Sequence, residues 1–150
     1  MRASRTSIAQ MMQPEHANPT GSNVHGGWVM KLVDECGALA CMRHAQQRVV
    51  TVAVDSMTFR QPIKIGELVT LTAEVTYAGR TSMEAEVHVE AENPITGVKT
   101  HTNNAYLVYV AIDAAGKPVP VPPLLAETPE EQARLEQGKQ RQAARLNRNS

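Results

Sequence analysis

The sequence predicts a single α+β domain in which one long helix lies on an antiparallel sheet. A chain of 150 residues has room for one core of ordinary size. Residues 26–46 carry apolar and small residues at helical spacing, and four strand-like segments joined by short connections follow them. One helix packed on an antiparallel sheet is among the few layer arrangements that bury both elements.

The first elements are a short strand, a polar loop and the long helix. We predict the strand over residues 4–12. Residues 13–25 are rich in Pro, Asn, Gly and Ser, and a loop of this length often carries function. The helix, residues 26–46, has an apolar stripe formed by Met30, Val33, Gly37, Ala40, Cys41 and His44. Because a helical Gly costs about 1 kcal/mol against Ala, the small middle of this stripe predicts close approach of another backbone.

Strands are predicted after the helix over residues 48–59, 68–78, 82–91 and 99–112. The second and third alternate apolar and polar residues, which is typical of strands with one buried face, so Glu84 is expected to point outward. The first is almost continuously apolar and β-branched, which predicts cover on both faces. One helix cannot cover a five-stranded sheet from both sides, so this strand predicts a second subunit.

The C-terminal part is predicted to extend the domain as a polar helix. Residues 113–126 hold four of the nine prolines and are expected to leave the sheet. Thr128, Pro129 and Glu131 form a capping signal for a helix over about 129–146. We therefore assign a domain to residues 1–125 and a helical extension with a basic tail to residues 126–150. The simplest interpretation of its basic residues is a solvated surface: Lys139, Arg141, Arg145 and Arg148.

Composition excludes several classes of function. A formal charge of zero and 3% aromatic residues argue against a nucleic-acid partner. The chain has no run of 18 apolar residues, so no membrane span is predicted. Cys36 and Cys41 are interpreted as reduced, buried thiols, and the five His show no metal-ligand spacing, so no metal site is predicted. The N-terminal stretch lacks the apolar region of a secretory signal, and the expected location is the cytoplasm.

Two neighbouring features could carry chemistry. Asp34 lies in or beside the apolar stripe, where an acid is costly unless it is paired or used. It is a candidate general base or nucleophile, and the alternative is a carboxylate bonded to a nearby loop. Gly26 and Gly27 at the helix N-terminus leave backbone N–H groups open to an anion or a developing oxyanion. Asn23, just before them, could orient a water molecule or a carbonyl.

The segments PEHANPTGSNVHGGWVMKLVDECGALACMRH, VVTVAVDSMTFRQPIKIGE, GRTSMEAEVHVE and YLVYVAIDAAGKPVPVPPL resemble the hotdog-fold acyl-CoA thioesterases, in the branch of the brain-type cytosolic acyl-CoA hydrolase. The resemblance covers about residues 14–125. It implies a hotdog fold, in which a long central helix is wrapped by an antiparallel sheet of five or six strands. It also implies paired hotdog units, often three pairs in a hexamer, and catalysis at the pair interface without a metal or redox cofactor.

The resemblance implies roles for particular residues. Asp34 matches the catalytic acid of the helix, and Asn23 matches a polar residue that faces it from the other unit. The backbone at Gly26 and Gly27 matches the site that polarises the carbonyl. Coenzyme A is part of the substrate and product, so no separate cofactor is expected. Its anionic end needs local cations and hydroxyls, for which the candidates are Arg80, Thr81, Ser82 and Lys117.

The expected function is hydrolysis of fatty acyl-CoA to a free fatty acid and CoA. One open alternative is a non-catalytic hotdog that senses acyl-CoA, although the presence of both Asn23 and Asp34 favours catalysis. The other is a dehydratase or an acyl-carrier-protein thioesterase on the same fold. Dehydratases typically carry a catalytic His on or near the helix, where this chain has Asp34. Acyl chain length depends on the tunnel beside the helix, set by residues such as Met30, Val33 and Met57.

Overall fold

The computed structural model of the chain describes residues 1–57 and 60–148. Its main elements are β1 (Thr6–Met11), α1 (Gly26–Ala45), β2 (Arg48–Met57), β3 (Leu68–Ala78), β4 (Ser82–Glu92), β5 (Lys99–Ile112) and α2 (Pro129–Arg148). Short 3₁₀ turns cover Arg2–Ser4 and Pro14–His16. Each predicted element is present with bounds shifted by at most a few residues. The last two positions of the predicted strand 48–59 lie outside the described residues.

The five strands form one antiparallel sheet in the order β1-β3-β4-β5-β2. Hairpin loops of three and six residues, 79–81 and 93–98, join β3 to β4 and β4 to β5, as the short connections of the sequence predict. Helix α1 packs across the inner face and contacts all five strands. The predicted fold, a long helix wrapped by an antiparallel sheet, is therefore confirmed.

The core between α1 and the sheet is aliphatic. The buried residues of α1 include Val29, Leu32, Val33, Cys36, Gly37, Ala40 and Cys41, and the sheet contributes mainly Val, Leu and Ala side chains. The predicted stripe is wrong at two positions. Met30 is 43% exposed, because it follows Val29 by one residue and so points about 100° away around the helix. His44 is only half-buried and contacts the backbone oxygen of Pro122.

Strand β2 is an edge strand and leaves apolar side chains uncovered. It pairs with β5 on one side, and the sheet ends there. Val50, Val52 and Val54 are 42%, 55% and 44% exposed. The cover that the sequence predicts for both faces of this strand is therefore not supplied by the chain itself.

Helix α2 packs against the outer face of the sheet through four arginines, which we call the arginine face: Arg134, Arg141, Arg145 and Arg148. Their ion-pair partners on the strands are Asp55, Glu74, Glu84 and Glu86. Gly138 allows the close approach, since a Cβ there would lie 2.7 Å from the backbone oxygen of Thr76. Glu84 points to the outer face, as predicted, but the cover of α2 leaves it only 1% exposed. The interpretation of the basic residues as a solvated surface is wrong for Arg141 and Arg145, which form ion pairs with the strands.

The remaining features concern membranes and metals. Within residues 1–57 and 60–148, neither helix has the length and apolarity needed to cross a membrane. The same residues contain no group of three or more His, Cys, Asp or Glu arranged to hold a metal ion.

Cys36 and Cys41 are buried and form no disulfide. Burial raises the pKa of the Cys36 thiol to about 11, so this thiol stays protonated at neutral pH.

Candidate active site

The Asp34 side chain extends from α1 towards β2 and β5, with one carboxylate oxygen hydrogen-bonded and the other open. Its Oδ1 accepts hydrogen bonds from Thr51 Oγ1 at 2.8 Å and from the Tyr109 hydroxyl at 3.0 Å. The Tyr109 hydroxyl also lies 2.9 Å from the backbone oxygen of Asp34. Among the described residues, Oδ2 has no hydrogen-bond partner. The two hydroxyls therefore fix the carboxylate while leaving one oxygen available to a water molecule or a substrate.

Tyr109 explains the glycine in the middle of α1. Its side chain is fully buried, and a Cβ on Gly37 would lie 2.6 Å from the Tyr109 hydroxyl oxygen. The expectation that another backbone approaches the small part of the stripe is wrong, because a phenol ring occupies that space. Burial, together with the nearby charge of Asp34, raises the pKa of Tyr109 well above its ordinary value. The phenol therefore remains a donor to Asp34 throughout the physiological pH range.

The N-terminus of α1 is capped by His25. Its Nδ1 accepts a hydrogen bond from the Gly27 N–H at 2.8 Å, and its backbone oxygen accepts one from Trp28 at 3.0 Å. The expectation of two open amides is therefore wrong for Gly27, because the cap uses that donor. The Gly26 N–H donates to no acceptor within the described part of the chain, so it is the amide that remains for an oxyanion.

Asn23 and Gly26 line one cavity of about 220 Å³, which we call the Asn23 cavity. Its other lining residues are Asn18, Val24, Val29, Gln61, Pro62 and Ile63. Backbone hydrogen bonds hold the loop, from Asn18 to the Asn23 oxygen at 2.7 Å and from Val24 to the Ile63 oxygen at 2.8 Å. Asp34 does not line this cavity. The structure thus brings Asn23 and Gly26 together but does not bring Asp34 to them within one chain.

The candidate residues for the anionic end of CoA gather at the opposite end of the sheet: Arg80, Thr81, Ser82 and Lys117. Arg80 accepts a backbone hydrogen bond from Val121 at 2.9 Å, which ties the β3–β4 turn to the segment after β5. Asp34 belongs to this end, because its partner Tyr109 lies opposite Met83 near the start of β4. The Asn23 cavity lies near the other end of β4, and Gly26, which lines it, precedes Asp34 by eight residues, a rise of about 12 Å along α1.

Sequence reasoning missed Thr51 and Tyr109. They lie 17 and 75 residues from Asp34 in the chain, so no local spacing could connect them. The only available signal for Tyr109 was a large residue on the inward face of β5 combined with the unexplained helical glycine Gly37.

Comparison with known proteins gives the family. The profile described as thioesterase superfamily matches residues 21–98, which is more than half of the chain and includes Asp34. The chain belongs to the thioesterase superfamily. The predicted family is therefore confirmed.

Individual relatives agree with this assignment. A rat protein named cytosolic acyl coenzyme A thioester hydrolase is 35% identical over 140 residues, which are 92% of this chain and 36% of the rat protein. The chain therefore spans about a third of the length of that relative. A solved structure described as an apo-hexameric acyl-CoA thioesterase is similar with a TM-score of 0.92 and 38% identity, covering 99% of this chain and 95% of that one.

An acyl-CoA hydrolase from Staphylococcus aureus, solved with butyryl-CoA, CoA and CoA disulfide, is similar with a TM-score of 0.89 and 32% identity. The match covers 99% of this chain and 90% of that one. The same hydrolase has been solved as three alanine variants, at an Asp, an Asn and a Thr. In that protein the Asn precedes the Asp in the chain, and the Thr follows the Asp at the same separation at which Thr51 follows Asp34.

Proposed function

We propose that this protein hydrolyses fatty acyl-CoA thioesters to free fatty acid and CoA. The observation that carries the proposal is the Asp34 carboxylate, with one oxygen held by two hydroxyls and the other open. Thioester hydrolysis needs an activated water or a carboxylate nucleophile, together with donors for the carbonyl oxygen. Asp34 meets the first need, and the Gly26 N–H meets the second. The names of the relatives as acyl-CoA hydrolases support the same activity.

In the proposed mechanism Asp34 acts as a general base. Its free oxygen takes a proton from a water molecule while the water oxygen attacks the thioester carbon. The carbonyl oxygen becomes an oxyanion and accepts a hydrogen bond from the N–H of the partner subunit's Gly26, which lines the same cavity as Asn23. Collapse of this intermediate breaks the C–S bond, and the CoA sulfur leaves with the proton that Asp34 held. If Asp34 instead attacks directly, an anhydride forms first and water then opens it.

We propose that each site is shared between two copies of the chain. Asp34 contacts β2, the uncovered edge strand with its exposed valines, whereas the Asn23 cavity lies near the other end of the sheet. A two-fold partner reverses the direction of the chain. It therefore places Asn23 of the partner subunit near Asp34, and symmetry repeats the arrangement. The apo-hexameric relative supports a further step, in which three such dimers assemble.

Two asparagines compete for the role facing Asp34. The sequence points to Asn23, which is the nearer of the two to the glycine pair and to Asp34 in the chain. In the S. aureus hydrolase the number of residues between the Asn and the Asp is close to the number between Asn18 and Asp34. It is clearly larger than the number between Asn23 and Asp34. This spacing favours Asn18. Both asparagines line the Asn23 cavity. Replacing each with Ala separates them, because the one that positions the water or carbonyl is expected to lose most of its activity.

The remaining assignments concern the rest of the substrate and the location. Arg80, Thr81, Ser82 and Lys117 are proposed to bind the phosphates and pantetheine of CoA, since they cluster at the end of the sheet that holds Asp34. The name of the rat relative supports a cytosolic location. An acyl-carrier-protein thioesterase and a non-catalytic acyl-CoA sensor remain as alternative functions. Comparing the rates of cleavage of CoA thioesters and carrier-protein thioesters tests the first alternative. Measuring whether acyl-CoA is bound without being cleaved tests the second.

The test is release of free CoA thiol from a panel running from acetyl-CoA to palmitoyl-CoA. Wild type is expected to cleave at least part of the panel, and Asp34→Asn is expected to lower kcat by about 100-fold or more. Glu35→Gln is the matched control. Glu35 adjoins Asp34 but forms an exposed ion pair with Lys31 at 3.1 Å, so its removal is expected to leave kcat unchanged. A folded Asp34→Asn variant with nearly normal kcat would remove Asp34 from the mechanism.

A further inference from the structure

We propose that the arginine face of α2 is a positioning device for the active site. It holds Asp55 of β2, and thereby keeps Thr51 of the same strand in hydrogen-bonding position for Asp34. The inference rests on the proposed function, since Asp34 is the group whose position matters. It assigns a catalytic purpose to a helix that touches neither Asp34 nor the Asn23 cavity.

Asp55 of β2 forms ion pairs with two arginines of α2. Arg145 Nη1 lies 2.8 Å from Asp55 Oδ2, and Arg148 Nη2 lies 2.7 Å from Asp55 Oδ1. The side chains of Arg145 and Asp55 are only 8% and 13% exposed, so solvent screens this pair far less than an ordinary surface ion pair. Burial disfavours the Asp55 carboxylate, but the two arginines outweigh it and lower the pKa of Asp55. Both carboxylate oxygens are therefore bound by α2.

Within one chain, strand β2 has a single neighbour in the sheet. It is an edge strand with β5 as its neighbour, and its register with β5 shifts twice, between Thr51 and Ala53 and between Val54 and Ser56. Each shift leaves an extra residue out of the ladder and bends the strand. Asp55 is the extra residue of the second shift. The carboxylate that α2 holds is thus at the point where β5 holds β2 least.

Helix α2 is anchored elsewhere, so it can serve as a fixed support. Glu84 on β4 is 1% exposed and accepts two hydrogen bonds from Arg141, at 2.7 and 2.9 Å. Thr76 donates to the same carboxylate at 2.6 Å, and Arg145 lies 2.9 Å from it. Arg145 therefore joins β2 to a buried anchor on β4, two strands away across the sheet.

Asp55→Asn tests the proposal, with Glu74→Gln as its matched control. Both changes are nearly isosteric, remove one carboxylate charge and deprive two arginines of a partner. Glu74 pairs with Arg5 and with Arg134 of the arginine face, but it lies on β3, away from β2. Asp55→Asn is expected to lower kcat about fivefold with KM unchanged, as for the weakening of one hydrogen bond. Glu74→Gln is expected to change kcat less than about twofold while losing similar stability.

A second measurement asks whether the effect passes through Thr51. In a Thr51→Val background, Asp55→Asn is expected to have no further effect on kcat, because the contact it disturbs is already gone. Additive losses in the double variant would overturn the proposal, as would equal losses of kcat in Asp55→Asn and Glu74→Gln. If Asp55→Asn does not fold, Arg148→Gln removes one of the two arginines at an exposed position and is expected to lower kcat about twofold by the same route.

Amide hydrogen exchange tests the same idea without using activity. Asp55→Asn is expected to speed exchange in β2 around Thr51, whereas Glu74→Gln leaves β2 unchanged. If wild type cleaves no acyl-CoA, the proposed function fails, and exchange alone still decides whether α2 holds β2. Equal exchange of β2 in both variants and wild type would overturn the positioning role.

Discussion

Gly37→Ala is the substitution whose effect the structure predicts most sharply. In an ordinary helix interior, Ala stabilises by about 1 kcal/mol relative to Gly. Here the new Cβ would lie 2.6 Å from the Tyr109 hydroxyl oxygen and 3.2 Å from two carbons of the ring. The ring is fully buried, so it cannot swing into solvent. Overpacking of this kind costs about 1–3 kcal/mol.

Displacing the ring also disturbs the hydrogen bond that the single proton of the Tyr109 hydroxyl makes to the oxygens of Asp34, which contributes about 1 kcal/mol. Together these terms exceed the gain in helix propensity, and we expect Gly37→Ala to lower the free energy of unfolding by about 2 kcal/mol. In a Tyr109→Phe background the closest atom is absent. The same substitution is then expected to be nearly neutral, because the remaining ring contacts can relax and the helix gain offsets them.

Urea denaturation of the two single variants, the double variant and wild type measures this coupling. Tyr106→Phe is the matched control, since Tyr106 is on the same strand but stacks against Arg141 of α2 on the outer face. Gly37→Ala should keep its full cost in the Tyr106→Phe background. An equal cost of Gly37→Ala in Tyr109→Phe and in wild type would refute a clash with the Tyr109 hydroxyl.

Three further substitutions have defined outcomes in urea denaturation. Glu84→Ala should lower the free energy of unfolding by about 3–5 kcal/mol, since it removes the carboxylate partner of the buried Arg145 and the half-buried Arg141. For Glu86, burial opposes the charged form, but hydrogen bonds from His88 and Tyr106 outweigh it and lower its pKa to about 2. Its contribution is therefore present above about pH 4.5 and lost as the pH falls towards 2, and Glu86→Gln should flatten this acid dependence. His25→Ala should cost about 1 kcal/mol through loss of the cap on Gly27.

Local patterns were sufficient to predict the elements of the fold. Alternation in β3 and β4, helical spacing in α1 and the capping signal before α2 each depend on residues close in sequence, so one chain reveals them. The position of α2 was not predictable in this way. Its polar composition is typical of a solvated helix, and its partners on the strands are 57 to 93 residues away in the chain.

Some residues of the candidate site were predictable from local sequence, and others were not. Asp34 could be found because an acid in an apolar helical stripe is anomalous by itself. Thr51 and Tyr109 could not, because a Thr and a Tyr on strands are ordinary until the fold places their hydroxyls on Asp34. The Gly26 and Gly27 pair was noticed, but the spacing could not show that His25 folds back to cap Gly27.

Subunit complementation tests the proposed shared site most directly. Asp34→Ala is refolded in equal amounts with Asn18→Ala or Asn23→Ala, using the asparagine variant that is inactive alone. Half of the randomly formed dimers are mixed, and each mixed dimer holds one intact site and one doubly altered site, so about a quarter of wild-type activity should return. If both residues act from one chain, no mixture contains an intact site. Mixed dimers confirmed by mass spectrometry that show no recovered thioester hydrolysis would contradict the shared site.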